Sequence, residues 1–296
     1  MLLIVGSSKD HNTTRLADAA RARGVVHRLI HCDTDPAPAV HWQPGTADII
    51  INGETFATKG TSLFIRYDVF SVDDADRKNA FFDSLRGWAE ANPEVGLLNR
   101  RNETMEMNKP RALVLARDCG FDVPETFVTS DFNRFANKDR YIAKPVSGGS
   151  YTRLLSDVDT KTDRPWIVQE KLDYPELRLF RVGKYYFAFS IESELIDYRV
   201  DKNPALREVD PPLELVAAMQ KLTDKMGLDY AAADFKTDPK TGRLKFLEIN
   251  TMPMLAGYDN KAQGRLSDAL CLVVTGLSTP LTKTVPAPSQ SRSRHA

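Results

Sequence analysis

Residues 246–250 read Phe246-Leu247-Glu248-Ile249-Asn250, a short apolar strand interrupted at every second position by an oxygen-bearing side chain. Side chains alternate along a strand, so Glu248 and Asn250 share one face and Leu247 and Ile249 take the other. Upstream, Ala231-Ala232-Ala233-Asp234-Phe235 reads as a second strand, and Asp238-Pro239-Lys240-Thr241-Gly242 between the two is turn chemistry. A hairpin closed there sets Asp234 opposite Glu248, give or take two residues. Two carboxylates and a carboxamide make an all-oxygen donor set suited to a hard cation. Magnesium binds through a few such ligands and fills its other positions with water and nucleotide phosphates. Spacing alone favours the plainer reading of an exposed polar hairpin face, so the surrounding segments decide.

Immediately upstream the chain is strand-rich. Arg178 to Val182 and Tyr185 to Glu192 flank Gly183-Lys184, a hairpin signal. Leu213 to Met226 is helical in pattern and stops at Gly227. Before that section, Lys109 to Cys119 reads as a helix with Pro110 in its first turn and Gly120 at its end. Strands follow at Glu125–Thr129, Arg140–Pro145 and Trp166–Gln169, with Ser147-Gly148-Gly149-Ser150 as a flexible loop between the last two. The N-terminal part alternates strand and helix: Leu2 to Val5, a helix from Thr13 to Arg23 capped by Thr13 or Thr14, then strands at Val25–His31, Asp48–Asn52 and Ser62–Tyr67. An amphipathic helix over Asp74 to Ala91 follows. This rhythm predicts a small open α/β lobe. Asp268 to Thr275 reads as a last packing helix, and the Pro-, Ser- and Arg-rich stretch from Pro280 as a disordered tail.

Composition narrows the classes. Lys plus Arg equals Asp plus Glu at 40 each in 296 residues, which disfavours a nucleic-acid binder. Cys32, Cys119 and Cys271 are scattered and match no CxxC pattern, as expected of reduced thiols. Met1 to Gly6 has no basic flank and reads as a buried strand rather than a signal segment. No apolar run reaches membrane-span length. The expectation is a cytoplasmic protein. Four of the five histidines precede Trp42, and none accompanies the Asp-Glu-Asn set, so no Ser-His-Asp or Cys-His constellation emerges.

With these segments in view, the chain resembles the ATP-grasp superfamily. Leu247-Glu248-Ile249-Asn250-Thr251-Met252-Pro253 resembles its metal strand, and Asp234 its first metal ligand. Asn108-Lys109 with Val123-Pro124-Glu125-Thr126 resembles the lysine helix and the strand entry after it. Tyr141-Ile142-Ala143-Lys144-Pro145 resembles the strand of the second nucleotide lysine. Val168-Gln169-Glu170-Lys171-Leu172 resembles the adenine hinge, and Glu176-Leu177-Arg178 the hairpin that follows. Six such segments run in family order from about Leu98 to about Asp259. Ala188-Phe189-Ser190-Ile191-Glu192-Ser193 and Asp197-Tyr198-Arg199 resemble the branch of ribosomal-protein glutamate ligases and microviridin-type peptide macrocyclases. Two departures stand out: Asn108 replaces an Asp, and the Ser147–Ser150 loop is shorter than in many members.

The resemblance implies an α/β and α+β chain: an ATP-grasp fold with an N-terminal pre-ATP-grasp open α/β lobe over residues 1–97, a lid subdomain over 98–168, a metal-binding subdomain over 169–279 and a tail over 280–296. It implies ATP and Mg2+ as cofactors. Lys109 and Lys144 would meet phosphates; Gln169, Glu170 and Leu172 would line the adenine slot; Glu176 would accept a ribose hydroxyl. Asp234, Glu248 and Asn250 would hold magnesium. Arg178 and Arg199 would stand beside the γ-phosphate and the acyl phosphate, unless they are ordinary ion-pair partners of Glu176 and Asp197. The Ser147–Ser150 loop would shield the site. The implied activity is ATP-dependent joining of a small-molecule or peptide carboxylate to an amine or hydroxyl through an acyl phosphate, with no nucleic acid or membrane partner and a possible homodimer. Two alternatives are a macrocyclase forming ester or amide links in a ribosomal precursor peptide, and a non-catalytic nucleotide-binding protein.

Overall fold

Leu2-Leu3-Ile4-Val5-Gly6 is buried at every residue because it is β1 (Leu2–Gly6), a strand with parallel neighbours on both sides. In the computed structural model, residues 1–70, 73–102, 108–147, 151–159, 164–201 and 203–281 are described. They fall into two compact units, Met1–Arg100 together with the chain from Met254, and Arg101–Pro253.

In the first unit, α1 (His11–Ala22) follows β1. Its cap is Asp10, whose carboxylate accepts the Asn12 N–H, so the helix starts before the expected Thr13 or Thr14. β2 (His27–His31), β3 (Val40–His41), β4 (Ile49–Ile51), β5 (Glu54–Phe56) and β6 (Ser62–Ile65) follow, then α2 (Ala75–Ala91) and β7 (Gly96–Leu97). A parallel sheet runs in the order β2-β1-β6-β7, and β3-β4-β5 form a small antiparallel one. Phe81, Phe82, Leu85 and Trp88 of α2 pack with Leu3, Val5, Leu63 and Ile65. This is the open α/β lobe the sequence predicts.

The second unit opens on α3 (Lys109–Asp118), capped by Asn108, whose side-chain oxygen accepts the Arg111 N–H at 2.9 Å. β8 (Thr126–Thr129), β9 (Tyr141–Pro145), β10 (Arg153–Leu154) and β11 (Trp166–Glu170) form an antiparallel sheet in the order β10-β9-β11-β8. β12 (Asp173–Val182), β13 (Tyr185–Glu192), β14 (Ala205–Val209), α4 (Leu213–Lys225), β15 (Tyr230–Thr237) and β16 (Leu244–Asn250) follow. Their five strands are ordered β14-β13-β12-β15-β16, all antiparallel. One face of this sheet is covered: Leu177, Leu179, Ala233, Phe235, Phe246 and Ile249 pack with Ala112 and Ala116 of α3 and Met219 and Leu222 of α4. Burial of this face is what obliges the polar residues of the same strands onto the other.

The last helices, α5 (Ala256–Lys261) and α6 (Arg265–Thr275), belong to the first unit. Asn12 Oδ1 accepts the N–H groups of Leu255 and Ala256 at 2.7 and 2.9 Å, and Arg23 pairs with the buried Asp268 through two guanidinium nitrogens. The division of the compact units falls at Pro253, inside the section expected to run on to residue 279, and α6 packs on α1. The tail from residue 282 lies outside the described residues, as do Gly148 to Ser150 of the expected phosphate-covering loop. The three cysteines are buried and unbridged. No helix among the described residues is long and apolar enough to cross a membrane.

Phe246 is fully buried, stacked on Phe121 with ring centroids 5.3 Å apart and edge-on to Phe235 at 5.8 Å. Phe246→Ala is expected to cost about 3–5 kcal/mol, read as a fall in the midpoint of equilibrium urea unfolding.

Candidate active site

Strand register builds the site. Arg178 on β12 pairs with Asp234 on β15, and Asp234 pairs in turn with Glu248 on β16. Side chains directly opposite in neighbouring strands share a face, so Arg178, Asp234 and Glu248 form one transverse row, continued by Phe189 of β13 and Glu208 of β14. Two residues along, Phe180, Ala232 and Asn250 form a second row; on the other side lie Glu176, Lys236 and Lys245. The expected pairing of Asp234 with Glu248 is observed directly.

The register slips between Asp234 and Phe235: Asp234 faces Glu248, but Phe235 faces Phe246. Leu247 is the extra residue of a β-bulge. The strict alternation expected for Leu247 and Ile249 is therefore broken. Phe246 and Ile249 enter the core, Leu247 is only half-buried, and Lys245 joins the face of Glu248. The Leu247 carbonyl, where the ladder is interrupted, accepts a hydrogen bond from Lys144 Nζ at 3.1 Å. Lys144 is almost fully buried, and Lys109 stands 3.9 Å from Glu248.

Electrostatics are tense here. Burial pushes the Asp234 carboxyl up to about 7 against the pull of Arg178, with Glu248 and Glu176 pushing the same way. Arg178 Nη1 lies 3.4 Å from both carboxylate oxygens, and Asn250 Nδ2 donates to Oδ2 at 3.2 Å. Oδ1 of Asp234 accepts no hydrogen bond. Burial lowers the Lys144 ammonium to about 8; Lys109 and Arg199 push it down further, while Glu248 and Asp234 hold it up. A buried carboxylate oxygen with lone pairs to spare, beside Glu248 and an amide, fits a hard divalent cation. Among the described residues no group of three or more His, Cys, Asp or Glu forms a metal cluster, so Asn250 is needed to complete this donor set.

Arg199 is held by Asp197, which accepts from its Nε at 2.8 Å and from Nη2, and which also takes the Thr152 N–H at 3.1 Å. The ion-pair alternative for Arg199 is thus observed. For Arg178 it is not: its carboxylate partner is Asp234, and it also donates to the Tyr198 hydroxyl at 3.2 Å. Glu176, the expected acceptor of a ribose hydroxyl, is buried and paired with Lys236 at 3.0 Å; Lys236 also donates to the Ile196 carbonyl at 2.9 Å.

At the end of β11, Gln169 is fully buried and its amide donates to Thr126 Oγ1 at 2.9 Å. Glu170 pairs with Lys245 and accepts the Glu125 N–H at 3.1 Å; Leu172 is buried. The structure therefore gathers Lys109, Lys144, Arg178, Asp234, Glu248 and Asn250 into one cluster. Arg199 borders that cluster, while Gln169, Glu170 and Leu172 form a separate hinge segment. Tyr198, Lys236, Leu247 and Lys245 were not singled out from sequence. Tyr198 sits inside the Asp197-Tyr198-Arg199 triplet, which was the signal for it. The other three depend on register and on the bulge. A separate cavity of about 360 Å³ opens between the start of α3 and the end of α4, lined by Arg101, Asn102, Arg111, Asp224 and Lys225 among others. It contains none of the predicted site residues.

No protein-family model and no curated protein matches the chain. Solved structures do. The ATP-grasp ligase PsnB, complexed with a phosphomimetic variant of a minimal precursor, Mg and ADP, is 22% identical with a TM-score of 0.74, covering 94% of this chain and 98% of its own. The macrocyclase MdnC from Microcystis aeruginosa MRC, bound with precursor peptide MdnA, is 19% identical with a TM-score of 0.73, covering 93% and 99%. The RiPP-associated ATP-grasp ligase of Chryseobacterium gregarium, in complex with ADP and a leader and core peptide, is 21% identical with a TM-score of 0.72, covering 95% and 97%. The chain has the ATP-grasp fold.

The Asp234 carboxyl at about 7 lies above its ordinary 3.8, so the folded chain prefers it protonated. This favours folding below about pH 4 and is lost as pH rises through 7. An Asn there carries no charge. The melting temperature of Asp234→Asn relative to the unsubstituted protein is expected to be higher at pH 8 than at pH 5 by a few degrees, measured by thermal scans without divalent metal.

Proposed function

We propose that this chain is a magnesium- and ATP-dependent ligase that activates a peptide carboxylate as an acyl phosphate and joins it to an amine or hydroxyl. The observation that carries this reading is the transverse row Arg178–Asp234–Glu248, with Asn250 and the buried Lys144 beside it. Asp234, Glu248 and Asn250 would hold magnesium, which when bound neutralises charge on transferring phosphates. Lys109 and Lys144 supply cationic contacts to the phosphate chain. Leu247, turned from the core by the bulge, offers apolar surface on the same strand, and Gln169, Glu170 and Leu172 lie at the hinge.

In the proposed reaction a carboxylate oxygen attacks the γ-phosphorus and the bond to ADP breaks. The nucleophile then attacks the acyl carbon, loses its proton, and phosphate leaves. No enzyme nucleophile is consumed. Arg178 and Arg199 stabilise the phosphate oxygens through guanidinium groups that stay charged throughout. That the neighbours PsnB and MdnC were solved with precursor peptides supports a peptide as the substrate, and favours cross-linking within one precursor.

Asp234→Ala, Glu248→Ala and Asn250→Ala are each expected to lower magnesium-dependent ADP release more than about a hundredfold, with circular dichroism unchanged. Near-normal turnover in two of the three sinks the metal assignment. The peptide reading is checked by mass spectrometry of precursor peptides incubated with the enzyme and ATP, where each ester or amide bond removes one water.

Lys144 at about 8 should also make nucleotide affinity pH-dependent. Affinity for a fluorescent ATP analogue is expected to fall above pH 8, by up to about tenfold per pH unit, until bound phosphate no longer holds the proton. Lys144→Met should flatten that profile.

A further inference from the structure

Lys245 lies three residues before Glu248, an odd spacing that plain alternation would send to the opposite face. The bulge at Leu247 reverses that, and Lys245 pairs with Lys236 in the row beside Asp234. From there its ammonium contacts the Glu170 carboxylate and stands 3.2 Å from Asp238 Oδ2. The same Glu170 oxygen, Oε1, accepts the Glu125 N–H at 3.1 Å. One partly buried ammonium thus ties together four segments: the entry to β8, the end of β11, the start of β16 and the turn between β15 and β16. Two of these belong to the four-stranded sheet and two to the five-stranded one.

The backbone here is also held by the β11 ladders to β8 and β9 and by two bonds beyond them. Glu170 N donates to the Glu125 carbonyl at 3.1 Å and Lys171 N to the Arg140 carbonyl at 2.8 Å. Removing the ammonium leaves Glu170 a half-buried carboxylate tied by the Glu125 N–H, and such a group turns to water. The Glu125 N–H then loses its acceptor, and the hinge loosens on the side where the two sheets meet.

We propose that Lys245 is a positioning residue that fixes the hinge for the nucleoside end of the nucleotide, acting through Glu170; this rests on the nucleotide-binding reading above. The test is binding of a fluorescent N-methylanthraniloyl ATP with Mg2+ to the full chain, with inorganic tripolyphosphate as competitor. Lys245→Met is expected to weaken the analogue about tenfold while leaving tripolyphosphate affinity within about twofold, because the phosphate-facing lysines are untouched. Lys245→Arg, which keeps the charge, should restore binding to within about threefold. In a Glu170→Gln background, Lys245→Met should add nothing further. Unchanged analogue binding by Lys245→Met overturns the proposal, and so does an equal loss of tripolyphosphate affinity, which marks general disturbance of the unit. Failure of the unsubstituted chain to bind the analogue overturns the nucleotide reading itself, a result distinct from either.

Discussion

Asp234 is on an inner strand of its sheet, hydrogen-bonded to a neighbour on each side, and its carboxylate has nowhere to go. On an edge strand a charged side chain leans out into water; here it must be met by what the adjacent strands present. Arg178 meets it from one side, and Glu248, a like charge, stands on the other. The arrangement is costly for an isolated protein, as the raised Asp234 carboxyl records. It persists because the opposite face of the same strands is closed by α3 and α4 over Ala233, Phe235 and Ile249. The apolar face fixes the register, and the register fixes the charges. Strained or costly arrangements of this kind are common at functional sites.

A single added residue at Leu247 then sets three further positions. It sends Phe246 and Ile249 into the core from the same face, though three residues apart. It leaves a carbonyl for Lys144, so the four-stranded sheet reaches β16 through a hydrogen bond. It also turns Lys245 toward Glu170. Without the bulge, alternation would place Lys245 against the helices, where an ammonium has no partner.

Much of this was legible in the sequence, for identifiable reasons. The Gly183-Lys184 hairpin, the Asn108-capped helix and the Asp234–Glu248 pairing are all local: turn chemistry, a cap and a period of two determine them. The bulge was not legible, since Leu244 to Asn250 contains no Gly or Pro to mark it. The ion pair of Glu176 was not legible either, because its partner Lys236 is sixty residues away and meets it only through strand pairing. The same holds for α6, whose amphipathic pattern declares a buried face but not which surface buries it. Its partner, α1, lies at the far end of the chain.

The two guanidinium groups of the site are held differently, and the difference bears on how each would meet a phosphate. Arg199 is gripped side-on by Asp197 through Nε and Nη2, a two-point contact that fixes both the plane and the edge of the group. Asp197 is itself anchored by the Thr152 N–H. Competing that carboxylate away is expensive, so Arg199 acts as a charge fixed in place, offering an anion its remaining edge. Arg178 lies at 3.4 Å from both oxygens of Asp234, beyond good hydrogen-bonding distance, and shares its Nη1 with Tyr198. If Asp234 held a magnesium ion, that ion would supply the charge compensation Arg178 now gives, and Arg178 would be available to a phosphate. In the proposed reaction, metal and nucleotide would thus be coupled through one side chain, Arg178, which faces the carboxylate that would hold the metal.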